Sequence, residues 1–297
     1  MARHYPKDLV SLDFEETHQR LRRKERKPQG RRSVNALISE DGQDDAAFHD
    51  PTLETLHQLG HLEELIGELK SGKEATVYLA RGPHGLTAVK LYKELTVRSF
   101  KNDAIYREGR FVGDARIEKA IRQRTSTGVD AQQSIWVMHE YAQLWTLWNA
   151  GLPVPKPLVG PDLSECAKAG RAVVMEYVGS EDGPALRLSD ARLTPHEARS
   201  AWEQSLNIIA ALLRLGRVHG DYSTYNLLWW EGTVIVIDLP QMVLREESRA
   251  FDTLLERDVR SLTQSFSRLG LRESPENALR EVRKRARSVP QTSLQLP

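Results

Sequence analysis

Two aspartates and one asparagine in the second half of the chain have the spacing that phosphoryl transfer from ATP requires. Asp221 and Asn226 lie in the segment His-Gly-Asp-Tyr-Ser-Thr-Tyr-Asn, and Asp238 follows Asn226 by twelve residues. An aspartate in such a loop can accept the proton of a hydroxyl group, and an asparagine with a second aspartate can hold the magnesium ions that bridge the phosphates. Residues 233–239 are typical of a buried strand ending at Asp238, so the three side chains can point to one place.

A simpler interpretation assigns these three residues no chemistry. Asp221 would then be a turn residue, Asn226 a helix or turn cap, and Asp238 a cap at the end of a strand. The pattern alone is moderately specific, because short Asp-to-Asn gaps occur often by chance. The choice therefore depends on the elements that would have to position ATP beside these residues.

A short turn before a predicted β-hairpin is the candidate phosphate-binding flap. Residues 76–80 and 86–92 predict two strands joined by a tight turn. Gly72 allows the backbone to approach phosphate closely, while Ser71 and Lys73 can donate hydrogen bonds to its oxygens. The flap and the strand that follows it supply these predicted nucleotide contacts: Ser71, Gly72, Lys73, Glu74 and Val77.

Residues 67–74 also nearly match a Walker A phosphate loop. That interpretation is disfavoured, because Glu74 stands where Ser or Thr would bind magnesium. The segment also precedes a predicted strand, whereas a Walker A loop opens a helix.

Lys90 and Glu140 are the predicted pair that holds the phosphates. Lys90 occupies a mostly apolar strand, where a lysine either extends from the sheet edge or serves a site. An ATP site would use this lysine to contact the α and β phosphates and would pair it with a glutamate of a neighbouring helix. Glu140 lies on a predicted Trp-rich helix over 135–149, whereas the alternatives Glu108 and Glu118 fall in a charged segment with little periodicity.

A predicted strand over 171–178 ends in Met-Glu-Tyr-Val-Gly and is the candidate hinge. We expect backbone groups of Glu176 and Val178 to contact adenine there. In chain order, the candidates are a flap, a strand lysine, a helix glutamate, a hinge and the Asp/Asn loop. Each has a structural explanation of its own, but together they predict an ATP site built from several elements.

The composition narrows the class of protein. Of 297 residues, 40% are hydrophobic and 28% are charged, which is typical of a soluble globular chain. Lys+Arg (42) and Asp+Glu (41) nearly cancel, so the overall charge does not argue for a nucleic-acid or membrane partner. Cys166 is the only cysteine, which excludes a disulfide framework and favours a reducing compartment. No apolar run has the length of a membrane helix and no secretory signal is visible, so we predict a cytoplasmic protein.

The chain divides into two predicted lobes with flanking segments. We expect a mobile charged extension at 1–47, an N-lobe at 48–178 with a flexible insertion at 98–133, a reduced C-lobe at 179–272 and a tail at 273–297. The extension contains a strongly basic run, which is either a solvated tail or a contact for nucleic acid or an acidic partner.

Hydrophobic spacing predicts helices on either side of the strands. Leucines spaced by three and four indicate a helix over 52–66, and Thr194 with Glu197 forms a capping-box signature for a long helix that ends at Gly216. Strands therefore dominate the first part of the chain and helices the second. This order predicts an α+β, two-lobed protein-kinase-like fold with a small β-rich N-lobe and a reduced helical C-lobe.

The motifs resemble those of the RIO family of atypical serine/threonine protein kinases. Ser-Gly-Lys-Glu-Ala at 71–75 is similar to that family's phosphate loop, and His-x-Asp-x-x-x-x-Asn at 219–226 matches its catalytic loop. Ile-Asp-Leu-Pro-Gln at 237–241 resembles its metal loop, which replaces the Asp-Phe-Gly of ordinary kinases. Three further segments extend the resemblance over about 50–270: 136–140, Leu-Pro-Val-Pro at 152–155 and Leu-Leu-Glu-Arg-Asp at 254–258.

The chain also differs from ordinary kinases in ways that resemble this family. Gly220 stands where ordinary kinases carry an arginine that reads a phosphorylated activation loop, and no Ala-Pro-Glu follows Asp238. The segment before residue 50 is shorter than the winged-helix domain of one RIO subfamily, and the insertion at 98–133 fits the flexible loop of the other. One small residue is missing from the usual phosphate loop.

The resemblance implies a role for each candidate. Asp221 would be the catalytic base, Asn226 and Asp238 would bind Mg²⁺ (or Mn²⁺), Lys90 would hold the phosphates of ATP, and Glu140 would orient Lys90. It further implies that Asp238 can accept a phosphoryl group, so that ATP hydrolysis accompanies phosphorylation of a protein substrate or of the chain itself. The expected activity is that of a non-specific serine/threonine protein kinase, an ATPase, or both.

Two other functions stay open on the sequence. Small-molecule phosphotransferases of the aminoglycoside type also use His-Gly-Asp-x-x-x-x-Asn and a later aspartate, although 71–75 and 237–241 favour the protein kinase. In a non-catalytic module, ATP occupancy would instead switch contact with a ribosome or RNA partner. The basic run at 20–32 is the candidate surface for that contact.

Overall fold

The computed structural model describes residue 37 and residues 47–93, 115–123 and 125–288 of the chain. Apart from Leu37 and Ala47, the predicted extension at 1–47 lies outside these residues, and so does its basic run. Within the described residues, no helix has the length and apolar character needed to cross a membrane.

The first lobe is built around a four-stranded antiparallel sheet in the order β1-β2-β3-β4. Its strands are β1 (Glu64–Ser71), β2 (Ala75–Gly82), β3 (Gly85–Tyr92) and β4 (Ala172–Glu176). Its helices are α1 (Pro51–Gln58), α2 (Ala115–Gln123), α3 (Ser126–Asn149) and α4 (Leu163–Lys168). β3 is central and buries six successive residues, because it pairs on both edges and α3 covers one face of the sheet.

The leucine pattern at 52–66 belongs to two elements, so the single helix predicted there is wrong. The helix α1 ends at Gln58, and Gly60 follows with φ of 76°, a left-handed conformation that glycine adopts without steric cost. Leu62 and Leu65 are both buried, but they reach the core from a loop and from β1. The helical spacing therefore spans a break between a helix and a strand.

The predicted flexible insertion at 98–133 is wrong over its second part, which is helical in α2 and the start of α3. Gly128 permits close packing of these two helices: a Cβ at this position would lie 2.2 Å from the Ala120 carbonyl oxygen. Thr125 caps α3 by accepting a hydrogen bond from the Gly128 N–H at 3.2 Å. Residues 98–114 of the predicted insertion lie outside the described residues.

The second lobe contains three helices and several short strands. Its helices are α5 (Pro195–Arg214), α6 (Phe251–Ser267) and α7 (Pro275–Arg287). Its strands are β5 (Gly179–Ser180), β6 (Gly183–Pro184), β7 (Leu186–Arg187), β8 (Arg217–Val218), β9 (Leu227–Trp230), β10 (Thr233–Val236) and β11 (Val243–Leu244). The helix α5 begins with the predicted capping box, in which Thr194 and Glu197 satisfy each other's backbone N–H groups.

The predicted tail at 273–297 is also wrong in part, because α7 is an ordered helix packed on α5. Ser274 caps its first turn, and Ala278 and Val282 form a narrow buried stripe one helical turn apart. Arg285 fixes the contact through its bond to Glu203 at 2.7 Å. The segment is highly charged and has few apolar residues, so its low overall hydrophobicity explains why it looks like a tail in the sequence.

Two short strand pairs present the loops of the candidate site. The loop at 219–226 connects β8 to β9, and the loop at 237–242 connects β10 to β11. Since β8 pairs with β11 and β9 pairs with β10, both loops leave the same small region of the second lobe. Helices α5 and α6 bury Trp202 and Phe266 against each other beneath it. The α+β, two-lobed kinase-like architecture predicted from the sequence is confirmed.

Candidate active site

Lys90, on β3, is the centre of a buried ion-pair cluster. Its Nζ donates to Glu140 Oε1 at 2.7 Å and to Asp238 Oδ1 at 2.8 Å. Lys90 and Glu140 are 9% and 3% exposed, so each charge has lost most of its water and depends on its partner. The structure thus brings together three predicted site residues, from the sheet, from α3 and from the loop after β10. Of the alternative glutamates, Glu118 lies on α2 and Glu108 falls outside the described residues.

Tyr92 is a fourth member of this cluster, which the sequence analysis missed. Its hydroxyl donates to Glu140 Oε2 at 2.5 Å. Lys90 and Tyr92 therefore each bind one oxygen of the Glu140 carboxylate, and together they fix its orientation. The Tyr92 ring also lies 5.2 Å from Lys90 Nζ, within the range of a cation–π contact. The signal is weak, because a tyrosine in an apolar strand is usually a core residue, although its position two residues after Lys90 puts it on the same face.

Lys90 and Asp238 keep their charges at neutral pH. Burial alone would lower the pKa of Lys90, but the Asp238 and Glu140 carboxylates raise that pKa well above its ordinary value. Partial desolvation by the surrounding protein opposes ionisation of Asp238, but the charge and hydrogen bond of Lys90 outweigh it and hold the pKa of Asp238 below its ordinary value. Burial and the Glu140 charge raise the pKa of Tyr92 well above its ordinary value, so Tyr92 stays a neutral donor.

Asp238 has an unusual backbone conformation. Its φ of 69° lies in the left-handed region, which costs an L-residue other than glycine about 1–2 kcal/mol. Hydrogen bonds hold the loop on both sides, from the Ile237 N–H to the Asn226 carbonyl and from the Met242 N–H to the Leu239 carbonyl, both at 3.0 Å. The side chain is 47% exposed, so the carboxylate remains accessible from the cleft while it binds Lys90. Such strain is typical of functional positions.

The loop at 219–226 is held together by Asn226 and His219. Asn226 Nδ2 donates to both the carbonyl and the Oδ2 of Asp221, each at 2.9 Å. This leaves the Asn226 oxygen for a metal ion and Asp221 Oδ1 for a proton. His219 Nδ1 accepts the Asp221 N–H at 3.3 Å, so its Nε2 carries the proton and donates to the Ile237 carbonyl at 3.2 Å. His219 therefore ties the Asp221 loop to the loop of Asp238.

Helix α6 clamps the same loop through two adjacent residues. Asp258 accepts the Gly220 N–H at 2.9 Å and the Tyr222 N–H at 3.1 Å, on different carboxylate oxygens. Arg257 donates to the Gly220 carbonyl. Gly220 has φ of 84°, so only glycine fits without strain between these two contacts. Burial raises the pKa of Asp258, and the two N–H groups offset this only in part. The resemblance drew attention to this segment, but its role as a clamp appears only in three dimensions.

The flap lies directly before β2, as predicted, and it follows β1. Ser71 ends β1, and the Gly72 N–H closes the turn onto the Ala75 carbonyl at 2.8 Å. Lys93, which the sequence analysis missed, donates to the Gly72 carbonyl at 2.6 Å and to Ser71 Oγ at 3.3 Å. The turn residues Lys73 and Glu74 are exposed. A strand on each side of the turn excludes the Walker A interpretation, which requires a helix after the loop.

Val77 and Lys90 are direct neighbours across β2 and β3. Their Cα atoms are paired in the register of the two antiparallel strands. Residues directly opposite each other in a sheet share a face, so the predicted apolar contact Val77 lies on the face that carries Lys90.

The hinge residues connect the two lobes after β4. Glu176 is committed to Lys156: its N–H donates to the Lys156 carbonyl at 2.8 Å, and its carboxylate accepts the Lys156 N–H at 3.2 Å. The Val178 carbonyl accepts the Ala185 N–H at 3.0 Å. These bonds fix the course of the hinge. Because the Glu176 carboxylate is bonded to the Lys156 N–H, any contact of this segment with adenine would use backbone groups.

The donor chemistry of the loops fits a divalent metal bound together with nucleotide. Asp238 offers a carboxylate and Asn226 an amide oxygen, and oxygen is the ligand that Mg²⁺ prefers. Among the described residues, no group of three or more His, Cys, Asp or Glu forms a metal site of its own. Magnesium is usually bound by one or two carboxylates plus substrate phosphates, so two protein ligands suffice if ATP supplies the others.

Comparison with known proteins gives a consistent family assignment. The family model for the RIO domain matches residues 76–279. The chain is 34% identical to the RIO-type serine/threonine-protein kinase Rio1 of Haloferax volcanii over 231 residues, which is 76% of this chain and 72% of the relative.

Two eukaryotic relatives match a similar share of the chain. The serine/threonine-protein kinase RIO1 of Chaetomium thermophilum is 30% identical over 71% of this chain, and the human serine/threonine-protein kinase RIO3 is 27% identical over 72%. The chain spans only 40% and 41% of their lengths. The matched region contains Lys90, Glu140 and both loops of the candidate site. The chain therefore belongs to the RIO family of serine/threonine-protein kinases.

Proposed function

We propose that this chain transfers the terminal phosphoryl group of ATP to a serine or threonine hydroxyl of a protein, or to water. The observation that carries the proposal is the double contact of Lys90. It binds Glu140 and Asp238 at once, which joins the sheet of the first lobe to the metal loop of the second. A kinase-like site requires the ion pair between the strand lysine and the helix glutamate, and it requires the metal-loop aspartate to be in place for Mg²⁺.

The acceptor side of the site is the Asp221 loop. Asp221 Oδ2 is held by Asn226, so the other carboxylate oxygen can accept the proton of an incoming hydroxyl group. Asp258 and Arg257 fix the backbone at Gly220, immediately before this base. The chain thus positions the base by five separate hydrogen bonds within the loop and from α6. Such positioning is the main contribution of a protein to phosphoryl transfer.

The donor side of the site is the flap and the Lys90 cluster. Lys90 supplies a positive charge for the phosphates, and Glu140 with Tyr92 keeps it in place. Asn226 and Asp238 would hold Mg²⁺ with the nucleotide, and the ion would neutralise charge on the transferred group. The amide and carboxylate oxygens favour Mg²⁺ or Mn²⁺ over softer metals.

The test is transfer of label from γ-labelled ATP in the presence of Mg²⁺. We expect labelled protein or released phosphate with the unmodified chain and loss of both in Asp221→Asn. Asp252→Asn is the matched control, because Asp252 is exposed on α6 and forms only a surface ion pair with Arg245, at 3.9 Å. Full activity in Asp221→Asn would refute the proposed base.

A second experiment addresses Asp238 as a phosphoryl acceptor. Its carboxylate is 47% exposed and one of its oxygens is bound to Lys90. If it accepts the phosphoryl group before water does, mass spectrometry of protein quenched during turnover will find a phosphate on Asp238 that is labile to hydroxylamine. Turnover without any such adduct would restrict Asp238 to metal binding.

We also propose a protein as the phosphoryl acceptor. The relatives are named serine/threonine-protein kinases, which favours a protein substrate over an aminoglycoside-type small molecule. Autophosphorylation and a ribosome or RNA contact through 20–32 stay part of the proposal, together with a cytoplasmic location. A filter-binding assay that compares the full chain with a variant lacking residues 1–36 tests the RNA contact.

A further inference from the structure

The sheet formed by β7, β9 and β10 has one face in the core and one face toward the Asp221 loop. Leu227 and Val236, which pair across β9 and β10, are buried. Because side chains alternate along a strand, the next pair, Leu228 and Ile235, lies on the opposite face. Asn226 precedes β9, and its carbonyl accepts the Ile237 N–H at 3.0 Å, which continues the ladder. Asn226 therefore shares the face of Leu228.

Arg187 stands on that same face. It is the last residue of β7 and pairs directly with Leu228 of β9. The Leu188 N–H donates to the Leu227 carbonyl at 2.8 Å, which fixes the register one residue further along. Diagonal neighbours in an antiparallel pair lie about 7–8 Å apart, so Arg187 is within side-chain reach of the predicted metal ligand Asn226.

No described residue neutralises Arg187. The residue is half-buried, and among the described residues its guanidinium has no hydrogen-bond or ion-pair partner at contact distance. Its charge does act on Asp238, whose pKa it helps to lower. A half-buried arginine without a paired carboxylate is unusual, because removing a charge from water is costly unless a partner compensates it.

We propose that Arg187 is a further phosphate-binding residue of this site and contacts the terminal phosphate of ATP. This inference rests on the proposed function. The planar guanidinium fork matches a phosphate group and binds two of its oxygens at once. Arg187 shares its sheet face with Asn226, which lies next to the transferred group, whereas Lys90 approaches from the sheet of the other lobe. The phosphates would then be held by a cation from each lobe.

Calorimetric titration with three nucleotides tests the assignment. The non-hydrolysable analogue AMP-PNP, ADP and AMP, each with Mg²⁺, are titrated into the full chain and into Arg187→Ala, Arg187→Lys and Arg187→Gln. Arg272→Ala is the control, because it removes an equal charge from an exposed position between α6 and α7. We expect Arg187→Ala and Arg187→Gln to weaken AMP-PNP about tenfold or more, as for a lost charge-assisted hydrogen bond. Arg187→Lys should recover part of that loss, while ADP and AMP bind unchanged.

Three results would overturn the assignment. These are unchanged AMP-PNP affinity in Arg187→Ala, an equal loss for AMP-PNP and ADP, or an equal loss for all three nucleotides, which would indicate a structural role. If Arg187→Ala does not fold, the Lys and Gln variants carry the same comparison. A full chain that binds none of the nucleotides would refute the proposed function itself, whereas normal binding with an insensitive Arg187 would refute only the present inference.

Discussion

Removal of the Tyr92 hydroxyl isolates one bond of the buried cluster. The substitution Tyr92→Phe deletes the donor that binds Glu140 Oε2 at 2.5 Å. It keeps the aromatic ring 5.2 Å from Lys90 Nζ and leaves the bond between Lys90 and Glu140 in place. Any effect therefore measures how much the hydroxyl contributes to holding Glu140.

The expected magnitude follows from the burial of the pair. Tyr92 is 1% and Glu140 is 3% exposed, so water cannot replace the lost donor. A hydrogen bond to a charged group contributes about 1.5–3 kcal/mol, and we take about 2 kcal/mol. In a domain of this size, that loss lowers Tm by roughly 4–8 °C. If all of it served to orient Lys90, kcat/KM for ATP would fall about thirtyfold.

Thermal unfolding and initial-rate kinetics measure the two effects separately. Tyr177→Phe is the matched control, because Tyr177 is also a buried tyrosine but its hydroxyl has no hydrogen-bond partner among the described residues. Loss of an unsatisfied hydroxyl should leave Tm unchanged or raise it slightly. Glu140→Gln removes the charge that binds Lys90, so its loss of kcat/KM is the largest that Tyr92→Phe could cause through Glu140.

A specific combination of results would refute this reasoning. If Tyr92→Phe unfolds at the temperature of the unmodified chain and keeps its kcat/KM, while Glu140→Gln loses activity, then Glu140 is oriented without Tyr92. A drop in Tm of the same size in Tyr177→Phe would show that the loss reflects packing of tyrosines in general.

Three further predictions concern the clamp, the α2–α3 contact and pH. Asp258→Asn places an amide NH₂ group opposite a backbone N–H, so urea unfolding should show that the free energy of unfolding falls by about 1–3 kcal/mol. The control Glu256→Gln removes only a surface ion pair of 3.5 Å and should leave the free energy of unfolding nearly unchanged. Gly128→Ala should cost about 1–3 kcal/mol by overpacking against Ala120, whereas Gly67→Ala, with open space around it, should be tolerated. The folded-state pKa of Asp238 is lowered, so its contribution to stability is present above the unfolded pKa and is lost as pH falls through the folded pKa. Unfolding midpoints between about pH 5 and pH 2 should fall less steeply in Asp238→Asn than in the unmodified chain.

Local patterns predicted those parts of the site in which a residue and its role share one element. The flap required only a glycine-containing turn before a β-patterned segment, whereas the strand β1 that leads into this turn was not predicted. Lys90 stood out because a charge is rare within an apolar strand. The capping box at Thr194 was visible for the same reason, since both of its partners lie within one turn.

Other parts depend on partners far apart in sequence, which no local pattern can reveal. Tyr92 and Glu140 are separated by 48 residues, and Gly220 and Asp258 by 38. Gly128 is a further example, because a glycine is needed there to let the Ala120 backbone of another helix come close. Sequence reasoning thus fails mainly where a side chain is selected for a contact between elements rather than for the propensity of its own element.

Consecutive residues of α3 connect the two halves of the site. Glu140 binds Lys90 of the first lobe at 2.7 Å, and His139 contacts the Met242 carbonyl at the end of the metal loop at 2.9 Å. Adjacent residues on a helix differ in direction by about 100°, so one helix reaches two different elements from a single turn. A rotation or shift of α3 would displace both contacts together, because adjacent residues of the same helix make them. The Lys90 position and the strained Asp238 loop therefore both depend on where α3 sits, so this helix would set the geometry of the proposed phosphate contact and of the proposed metal contact.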